Sequence, residues 1–223
     1  MADNIYMQRL DAAAKVLGID LQHDQSSTLL EYIAQLQRWN RTYNLTALRE
    51  PEQMLVQHLF DSLAIVEPLD QILYKKTVSK PSIVDVGSGA GLPGVVLAIL
   101  RPQWNIHCVD AVDKKMAFVR QMAGVLKLPN LHAVHARVET LPPFQADIVV
   151  SRAFASLLDF ATLAGPHVSE GGQLVAMKGR EPLDEIATLE QSTDWRSSHI
   201  QALHVPELNA QRCLVWLSRQ GTP

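Results

Sequence analysis

The fold is decided by residues 83–94, which read IVDVGSGAGLPG. The apolar run 83–86 predicts a buried strand, and glycines at positions 87, 89 and 91 end it. A second apolar run, Val95 to Leu100, predicts a helix immediately afterwards. An α/β sheet binds nucleotides at such a strand–turn–helix unit, because glycine lets the backbone turn with positive φ and approach a ligand closely. The stretch therefore predicts a site for a cofactor that contains a nucleoside.

The residues around these glycines favour one nucleoside cofactor over another. Gly89, Gly91 and Gly94 match the dinucleotide fingerprint G-x-G-x-x-G, which is a weak signal on its own. Asp85 stands two residues before the first glycine, where it disfavours a pyrophosphate but suits the ammonium group of S-adenosylmethionine. The motif also begins later in the chain than is usual in dinucleotide-binding domains. We favour S-adenosylmethionine, with NAD and a ligand-free structural turn as alternatives.

Composition limits the function classes. The 223 residues are 47% hydrophobic and 19% charged with a net charge of −3, which supports a globular core and weakens a non-specific RNA-binding interpretation. No signal peptide is recognisable, and the longest apolar run is too short to span a membrane. Cys108 and Cys213 are expected to be buried free thiols, and no histidine has metal-ligand spacing. We expect a cytoplasmic protein without a membrane segment or a metal.

The chain divides into a helical segment and an alternating segment. Residues 1–75 show helical periodicity, and the basic, polar stretch 74–81 marks a boundary. Beyond it, five predicted strands alternate with helices, which implies a parallel sheet. The link PELNAQ (206–211) is so short that the last two strands are expected to pair antiparallel. We predict an α/β, Rossmann-like, mostly parallel seven-stranded sheet of the class I S-adenosylmethionine-dependent methyltransferases over residues 76–223, with residues 1–75 as a helical segment packed on it.

Three strand ends carry candidate ligand contacts, because the ligand crevice of an open α/β sheet lies beyond the carboxyl ends of its strands. Asp110 ends the second strand, where an acid accepts hydrogen bonds from ribose. Arg137, Val138 and Glu139 follow the third strand, where an adenine edge or an ordinary polar loop would lie. Arg152 follows the fourth strand without the Asn/Asp-Pro-Pro-aromatic motif of exocyclic-amine methyltransferases. A carbon-5 pyrimidine methyltransferase would need a cysteine nucleophile in a loop at this face, and both cysteines are misplaced for that. The acceptor is then an intrinsically nucleophilic nitrogen, or an oxygen served by a base.

Two groups of side chains suit contact with RNA. Basic residues that collect at the expected crevice are phosphate contacts or ordinary solvated surface; they are Lys114, Lys115, Arg137, Arg152, Lys178 and Arg180. The stretch WNRTYNLT (39–46) is dense in side chains that stack on bases or bond to them, so Trp39, Asn40 and Asn44 are candidates. Without further information, the pattern favours Trp39 and Leu45 as core residues and Asn44 as a helix C-cap.

Several stretches together resemble one known family. They are WNRTYNLT (39–46), HLFDSL (58–63), VDVGSGAGLPG (84–94), RVE (137–139), SRAFASL (151–157) and MKG (177–179). Over about residues 30–218 the chain is similar to the bacterial ribosomal RNA small subunit methyltransferase G family, also known as glucose-inhibited division protein B. The resemblance implies methyl transfer from S-adenosylmethionine to N7 of the guanine at position 527 of 16S rRNA. The implied partner is 16S rRNA or the small ribosomal subunit.

The resemblance also implies site residues. Cofactor contacts are carried over to Gly87 and Leu92 in the glycine loop, to Val138 and Glu139 at the adenine, and to Arg152. Together with the motif residues, the predicted cofactor site comprises Asp85, Gly87, Gly89, Gly91, Leu92, Asp110, Val138, Glu139 and Arg152. The stretch 113–115 reads DKK where other members often have Gly-Lys-Arg, which leaves the detailed role of its last lysine open.

The expected reaction needs little from the protein chemically. Guanine N7 carries a lone pair and no proton, so no general base is expected. Arg152 and Phe154 are candidates to position the guanine, and Arg152 is expected to contact the amino-acid end of the cofactor, guanine O6 or a phosphate, but not N7.

Other function classes remain as alternatives. The first is a methyltransferase that acts on a small molecule or a ribose oxygen with Lys178 as base. An NAD-dependent oxidoreductase would need a Tyr-x-x-x-Lys or His–Asp pair at a strand end, which the sequence lacks. A pure RNA-binding module would leave the glycine loop without a purpose. A monomer is expected.

Overall fold

The computed structural model describes residues 2–75 and 78–221, and its first part is helical, as predicted. The second helix ends at Tyr43 because Asn44 adopts a left-handed conformation (φ 49°) and donates its N–H to the Asn40 carbonyl, which confirms the predicted C-cap. Residues 51–63 form one continuous helical stretch that includes a π-helical turn, Leu55–Phe60. The helices are α1 (Ala2–Val16), α2 (His23–Tyr43), α3 (Pro51–Met54), α4 (Asp61–Leu63) and α5 (Val66–Lys75).

Seven strands form one sheet in the order β3-β2-β1-β4-β5-β7-β6. They are β1 (Ser82–Val86), β2 (Asn105–Asp110), β3 (Leu131–His135), β4 (Ala146–Ser151), β5 (Val168–Lys178), β6 (Trp195–Leu203) and β7 (Arg212–Arg219). Strands β1 to β5 pair parallel, whereas β7 pairs antiparallel with both β5 and β6. The predicted sheet with its antiparallel end pair is confirmed. Strand β5 continues through Gly171 and Gly172, and its register against β4 shifts between Ala146 and Ile148.

The other helices alternate with the strands. They are α6 (Gly94–Leu100), α7 (Asp113–Val125), α8 (Leu157–Ala164) and α9 (Leu183–Ser192). Both cysteines are free and buried, as predicted. Within the described ranges, no helix combines the length and the apolar character needed to cross a membrane.

Helix α6 lies between two layers and is buried on every side. All seven of its residues are buried, because β2 packs on one face and α2 and α4 pack on the other. Its apolar sequence has no polar face to offer to solvent, which fits such a position. Side chains of α1 and α2 share one apolar core with α6 and β1. The predicted domain boundary falls at residues 76 and 77, outside the described residues, so the division of the chain there stays a prediction.

The glycine turn between β1 and α6 is held against β2. The N–H groups of Gly87 and Ser88 donate to the Val109 carbonyl over 2.8 and 3.2 Å. Gly87 has a φ of +67° and lies so close to the loop after β4 that a Cβ there would meet the Cβ of Ala153 at 2.5 Å. Gly94 is the first residue of α6 and packs against the Cys108 thiol. A Cβ added to Gly94 would meet this sulfur and would lie 3.0 Å from Oδ2 of Asp85. These close approaches explain why glycine stands at both ends of the turn.

The packing at Gly94 gives a stability prediction. Gly94→Ala should lower the free energy of unfolding by about 1–3 kcal/mol, because the new methyl group meets the Cys108 thiol and the backbone cannot retreat from β2. Gly124→Ala is the matched control, since Gly124 lies in α7 with no atom within 4 Å of an added Cβ, and it should be neutral or stabilising. Urea unfolding of both variants measures the difference.

The cause of the loss can be separated from a general helix effect. Adding Cys108→Ala to Gly94→Ala removes the clashing sulfur and should restore part of the lost free energy. If Gly94→Ala is as stable as Gly124→Ala, the close packing of the turn described above is wrong.

Candidate cofactor and substrate crevice

A crevice of two cavities lies at the carboxyl ends of β1, β2 and β4, where open α/β sheets bind ligands. The larger cavity has a volume of about 590 Å³ and the smaller about 250 Å³. Gly87 and Ala153 line both cavities, so the two meet at the first residue of the glycine loop. Gly89 faces the larger cavity and has no atom within 4 Å of an added Cβ, so any side chain there would occupy the crevice.

The smaller cavity brings together the ends of β2, β3 and β4. Asp110 lies at its edge and is nearly buried. One Asp110 oxygen accepts the N–H of Gly89 and the other accepts the N–H of Val112, both over 2.9 Å. The ammonium group of Lys115 lies 3.8 Å away. Asp110 therefore links the glycine loop to the end of β2 while its remaining lone pairs stay available to a ligand.

An acid shared by two arginines forms one wall of the larger cavity. Asp61 in α4 is only 5% exposed. Its Oδ2 accepts from Nη1 of Arg152, just after β4, over 3.2 Å, and its Oδ1 accepts from Nε of Arg212, at the start of β7, over 2.8 Å. The side chains of both arginines are about a quarter exposed, at 24% and 26%. The cluster therefore presents a net positive charge to the crevice, with the guanidinium groups fixed from behind.

A loop after α2 forms another part of the wall of the larger cavity. It contributes Leu45, Thr46, Ala47 and Leu48 to the lining. Asn40 holds this loop: its Nδ2 donates to the Leu48 carbonyl and its Oδ1 accepts the Thr46 N–H, both over 2.9 Å.

His58, in the π-helical turn, also lines the larger cavity. The Thr46 hydroxyl lies 2.8 Å from its Nε2. Burial, with a contribution from the charge of Arg152, lowers the pKa of His58 to about 4. The imidazole is therefore neutral near pH 7, which keeps a further positive charge away from the two arginines of this cavity.

Asp85 lies beneath the glycine loop and not in either cavity. It is fully buried, and its Oδ2 accepts the Gly94 N–H over 2.8 Å. Burial raises the pKa of Asp85 to about 7, against the opposing effects of this hydrogen bond and of the charge of Arg152. The carboxyl group thus ties the start of α6 to β1.

The comparison with family models is decisive at this point. Residues 25–215 match the model described as rRNA small subunit methyltransferase G. The chain belongs to this family. Curated relatives of the same name agree with the assignment over almost the whole chain. The relative from Bordetella petrii is 63% identical and the alignment covers 96% of this chain and 84% of that protein. The relative from Methylibium petroleiphilum is 46% identical, with 96% of this chain and 95% of that protein covered.

Solved structures of other methyltransferases share the fold of this family member. A SAM-dependent methyltransferase from Aquifex aeolicus superposes with a TM-score of 0.53 at 14% identity, over 78% of this chain and 96% of that chain. A ribosomal protein L11 methylase from Lactobacillus delbrueckii subsp. bulgaricus superposes with a TM-score of 0.50 at 16% identity, over 70% and 78% of the two chains. At these identities the likeness concerns the fold alone. The class I methyltransferase fold predicted from the sequence is confirmed.

Most of the predicted cofactor residues of this family member lie around one crevice. Those in the larger cavity are Gly87, Gly89, Leu92 and Arg152. Those in the smaller cavity are Gly87, Asp110, Val138 and Glu139. The residues that the sequence separates by more than sixty positions therefore face one continuous space. Their contacts with a cofactor remain predictions.

Two predicted cofactor contacts are corrected by the structure. Asp85 is 0% exposed and is separated from the crevice by the loop it supports, so it holds the loop and does not face a ligand. Gly91 is also buried and lines neither cavity, and its backbone is used within the turn: its N–H donates to the Ser88 carbonyl and its carbonyl accepts from the Val95 N–H. Both residues are needed for the shape of the turn, which is why they occur in the motif.

Three of the other predicted roles are also corrected. Asn40 is 2% exposed with its side chain bonded to the loop after α2, so it is not free to contact RNA. The ammonium group of Lys178 donates to Glu185 over 2.8 Å and lies 3.3 Å from two backbone carbonyls, so its charge is used internally. Phe154 lines the smaller cavity and packs on Phe160, on the other side of Gly87 from the cluster of Asp61, Arg152 and Arg212. It is therefore misplaced for stacking on a guanine beside Arg152.

The remaining RNA candidates lie at the outside of the crevice. Trp39 is half-buried against Tyr43 and Phe118 and packs on the core, and Leu45 is buried in it, as the sequence favoured. The side chain of Asn44 accepts a hydrogen bond from Arg49 over 2.6 Å. Three of the basic candidates are exposed, namely Lys114, Arg137 and Arg180, and of these Arg137 lines the smaller cavity. Lys115 is half-buried beside Asp110.

Sequence reasoning missed the cluster of Asp61, Arg152 and Arg212 and the neighbouring His58. The resemblance included HLFDSL (58–63) but gave its His and Asp no role. One signal could have pointed to them: a histidine and an aspartate interrupt an apolar helical stretch, and a buried charge needs a partner. The sequence could not say that the partners of Asp61 stand 91 and 151 positions away.

The buried carboxyl group of Asp85 gives a pH prediction. Its folded-state pKa is about 7 and the unfolded value is 3.8, so between these values the folded protein holds a proton that the unfolded chain has lost. Stability from this group is full below the lower value and is lost as the pH rises to about 7. Asp85→Asn keeps an acceptor for Gly94 without the titration. It should therefore gain about 2–3 kcal/mol of unfolding free energy relative to the unsubstituted protein between pH 5 and pH 8.

Urea unfolding at several pH values measures this difference. His58 titrates in both proteins, so its opposite contribution cancels. A difference between the two proteins that stays constant from pH 5 to pH 8 would show that Asp85 ionises normally.

Proposed function

We propose that this chain transfers the methyl group of S-adenosylmethionine to N7 of a guanine in 16S rRNA of the small ribosomal subunit. Membership in the rRNA small subunit methyltransferase G family gives the reaction class and the RNA. The main support is the crevice at the carboxyl ends of β1, β2 and β4. We call its smaller cavity, at Asp110, Val138 and Glu139, the narrow half, and its larger, positively charged cavity, at Asp61, Arg152 and Arg212, the wide half. A nucleoside cofactor and a nucleotide of RNA can meet there at Gly87.

The narrow half fits the nucleoside part of the cofactor. Asp110 has lone pairs for ribose hydroxyls, and the turn at Val138 and Glu139 faces the place of the adenine. Gly87 and Ala153 line both halves, so the chain of the cofactor can pass between them towards the wide half. When bound, S-adenosylmethionine supplies a methyl group on a positively charged sulfur. We propose that the amino-acid end lies along Gly87 and Gly89.

Methylation of N7 asks the protein for orientation. The acceptor nitrogen has a lone pair and no proton, so no side chain has to remove a proton before the reaction. Holding the two reactants in line can contribute about 7–11 kcal/mol to lowering the barrier. The wide half provides fixed walls for this purpose, because Asp61 anchors two guanidinium groups and Asn40 anchors the loop that carries Thr46.

Arg152 and Arg212 suit anionic parts of the two substrates. Each uses part of its guanidinium for Asp61, and Arg212 also donates from Nη1 to the Gln211 carbonyl; both side chains remain about a quarter exposed and line the wide half. A carboxylate of the cofactor or a phosphate of the RNA would complete their hydrogen bonds. Neither arginine should bond to N7 in a reactive complex, because the lone pair must remain free for the methyl group.

Transfer of a labelled methyl group tests the proposal. Purified protein is incubated with labelled S-adenosylmethionine and small-subunit RNA, or intact small subunits, from a strain that lacks the protein. Cleavage specific for 7-methylguanine then maps the label. One labelled guanine in 16S rRNA is the expected result, and comparing free RNA with subunits identifies the preferred substrate. Cofactor binding without label in either RNA would contradict it.

The alternative of a ribose-oxygen or small-molecule methyltransferase makes a different prediction in the same assay. It would require a base, for which the sequence offered Lys178. The ammonium group of Lys178 is held by Glu185 and two carbonyls and is not free to accept a proton. Label at a ribose, which survives the cleavage specific for 7-methylguanine, would favour this alternative.

The anchor of the two arginines gives a prediction about activity. Asp61→Asn replaces a carboxylate that accepts from both arginines by a neutral amide, whose NH₂ group faces one of them. Loss of one charge-assisted hydrogen bond is worth about 1.5–3 kcal/mol, so kcat/KM for RNA methylation should fall about 10- to 100-fold. The label assay with limiting RNA measures it.

Asp70→Asn is the matched control for this variant. Asp70 pairs with Arg101, whose exposure is similar to that of Arg152, although Asp70 is less buried than Asp61, and this pair lines neither half of the crevice. Its loss should lower the melting temperature without changing methyl transfer. If Asp61→Asn is folded and as active as Asp70→Asn, Asp61 does not position the two arginines for methyl transfer.

Three expectations stay with the proposal. We propose that the protein acts as a monomer in the cytoplasm and that residues 1–75 form an accessory helical segment of the methyltransferase unit. We also propose that the protein contacts RNA through the exposed side chains of Lys114, Arg137 and Arg180. Sedimentation and RNA crosslinking are the measurements for these points.

A further inference from the structure

A buried histidine lies behind the narrow half of the crevice. His167 is the last residue of the 3-10 turn Gly165–His167 between α8 and β5, and it is 1% exposed. Its Nε2 lies 2.9 Å from the carbonyl oxygen of Val138. Val138 begins the turn that closes the narrow half and neighbours Glu139. Neither the sequence motifs nor the reaction accounts for this residue.

The hydrogen bond assigns the proton of the imidazole. A carbonyl oxygen can only accept, so Nε2 of His167 must carry the hydrogen. In the neutral ring Nδ1 is then an acceptor, and it is buried without a hydrogen-bond partner in the part of the chain that the structure describes. A buried acceptor without a partner is unfavourable. The chain retains it at a place where a phenylalanine would fill the same volume.

The position of His167 is fixed from two sides. Its ring packs on that of Phe144 with centroids 5.3 Å apart. At the start of the same turn, the Gly165 carbonyl accepts from Nη2 of Arg219 over 3.0 Å. The guanidinium of Arg219 lies over the Trp195 ring, 5.0 Å from its centroid. The turn that carries the imidazole is therefore anchored to β6 and β7, and the imidazole in turn holds Val138.

The bond to His167 fixes one face of the turn at Val138. The Val138 carbonyl also accepts the N–H of Leu141 over 3.1 Å, so both of its lone pairs are directed away from the crevice. Val138 and Glu139 themselves line the cavity. Backbone groups of this turn can recognise the edge of an adenine only if the turn keeps a fixed position relative to the cavity.

We propose that His167 is a positioning residue for recognition of the adenine ring of the cofactor. The proposal rests on the proposed function, because it takes the narrow half as the adenine site. His167 touches neither the cofactor nor the reacting atoms, and it acts through the Val138 carbonyl. Methyl transfer occurs at the other end of the cofactor, so His167 should govern cofactor affinity and adenine selectivity and leave kcat at saturating cofactor unchanged.

Calorimetric binding of two ligands tests the proposal. S-adenosylhomocysteine carries adenine, and S-inosylhomocysteine differs only in the base edge. The unsubstituted protein should prefer the adenine compound. His167→Phe should weaken the binding of S-adenosylhomocysteine about tenfold and reduce the preference for adenine. The amide of His167→Gln can donate to the same carbonyl, so this variant should retain most of the affinity and most of the preference. The KM for S-adenosylmethionine should rise in His167→Phe at constant kcat.

Controls separate this role from a structural one. His199→Phe removes another histidine, one that is exposed and stacks on Trp216 in β6 and β7, and it should bind both compounds normally. If His167→Phe does not fold, Arg219→Gln loosens the same support and should reduce the preference for adenine. Unchanged Kd values and an unchanged preference in every folded variant of His167 and Arg219 would overturn the proposal.

The failure of the broader function would look different. If the unsubstituted protein binds S-adenosylhomocysteine and the variants bind both compounds as it does, the proposed role of His167 is wrong and the methyltransferase proposal stands. If the unsubstituted protein binds neither compound, the assignment of the crevice to this cofactor fails.

Discussion

The glycine loop after β1 is held from three directions, and the rest of the site depends on this. Beneath it, the buried Asp85 accepts the N–H of Gly94. From β2, Asp110 accepts the N–H of Gly89. From helix α2, the buried hydroxyl of Tyr32 donates to the Ala90 carbonyl over 2.9 Å. Backbone groups that would otherwise be mobile are thus fixed before a ligand arrives, which lowers the entropic cost of binding.

The third of these bonds explains why the N-terminal helices belong to the site. Helices α2 and α4 cover α6, the chain between them supplies the wall at Thr46, and α4 itself supplies the acid Asp61. The sheet alone would leave the wide half of the crevice open on that side. In the proposed reaction, the class I sheet holds the cofactor, and the helical segment makes the space in which the acceptor base is oriented.

The sequence was sufficient for what depends on local pattern. The glycine turn, the alternation of strands and helices and the short PELNAQ link predicted the sheet and its antiparallel end. It failed where a role depends on which side of a loop a residue faces. Asp85 and Gly91 lie in the cofactor motif but face the core, and Asn40 lies in a polar stretch but is buried. The Asp61 cluster joins three distant segments, and no local pattern could reveal it.

In the proposed reaction, the cofactor and the guanine enter opposite halves of one crevice and meet at Gly87. A structure of the complex with S-adenosylhomocysteine and the target RNA loop tests it most directly. The account predicts adenine at Val138 and Glu139, sulfur beside Gly87, and guanine N7 directed at that sulfur from the half that contains Asp61 and Arg152. Adenine bound beside Asp61, or a guanine reaching the sulfur from the Glu139 side, would contradict it.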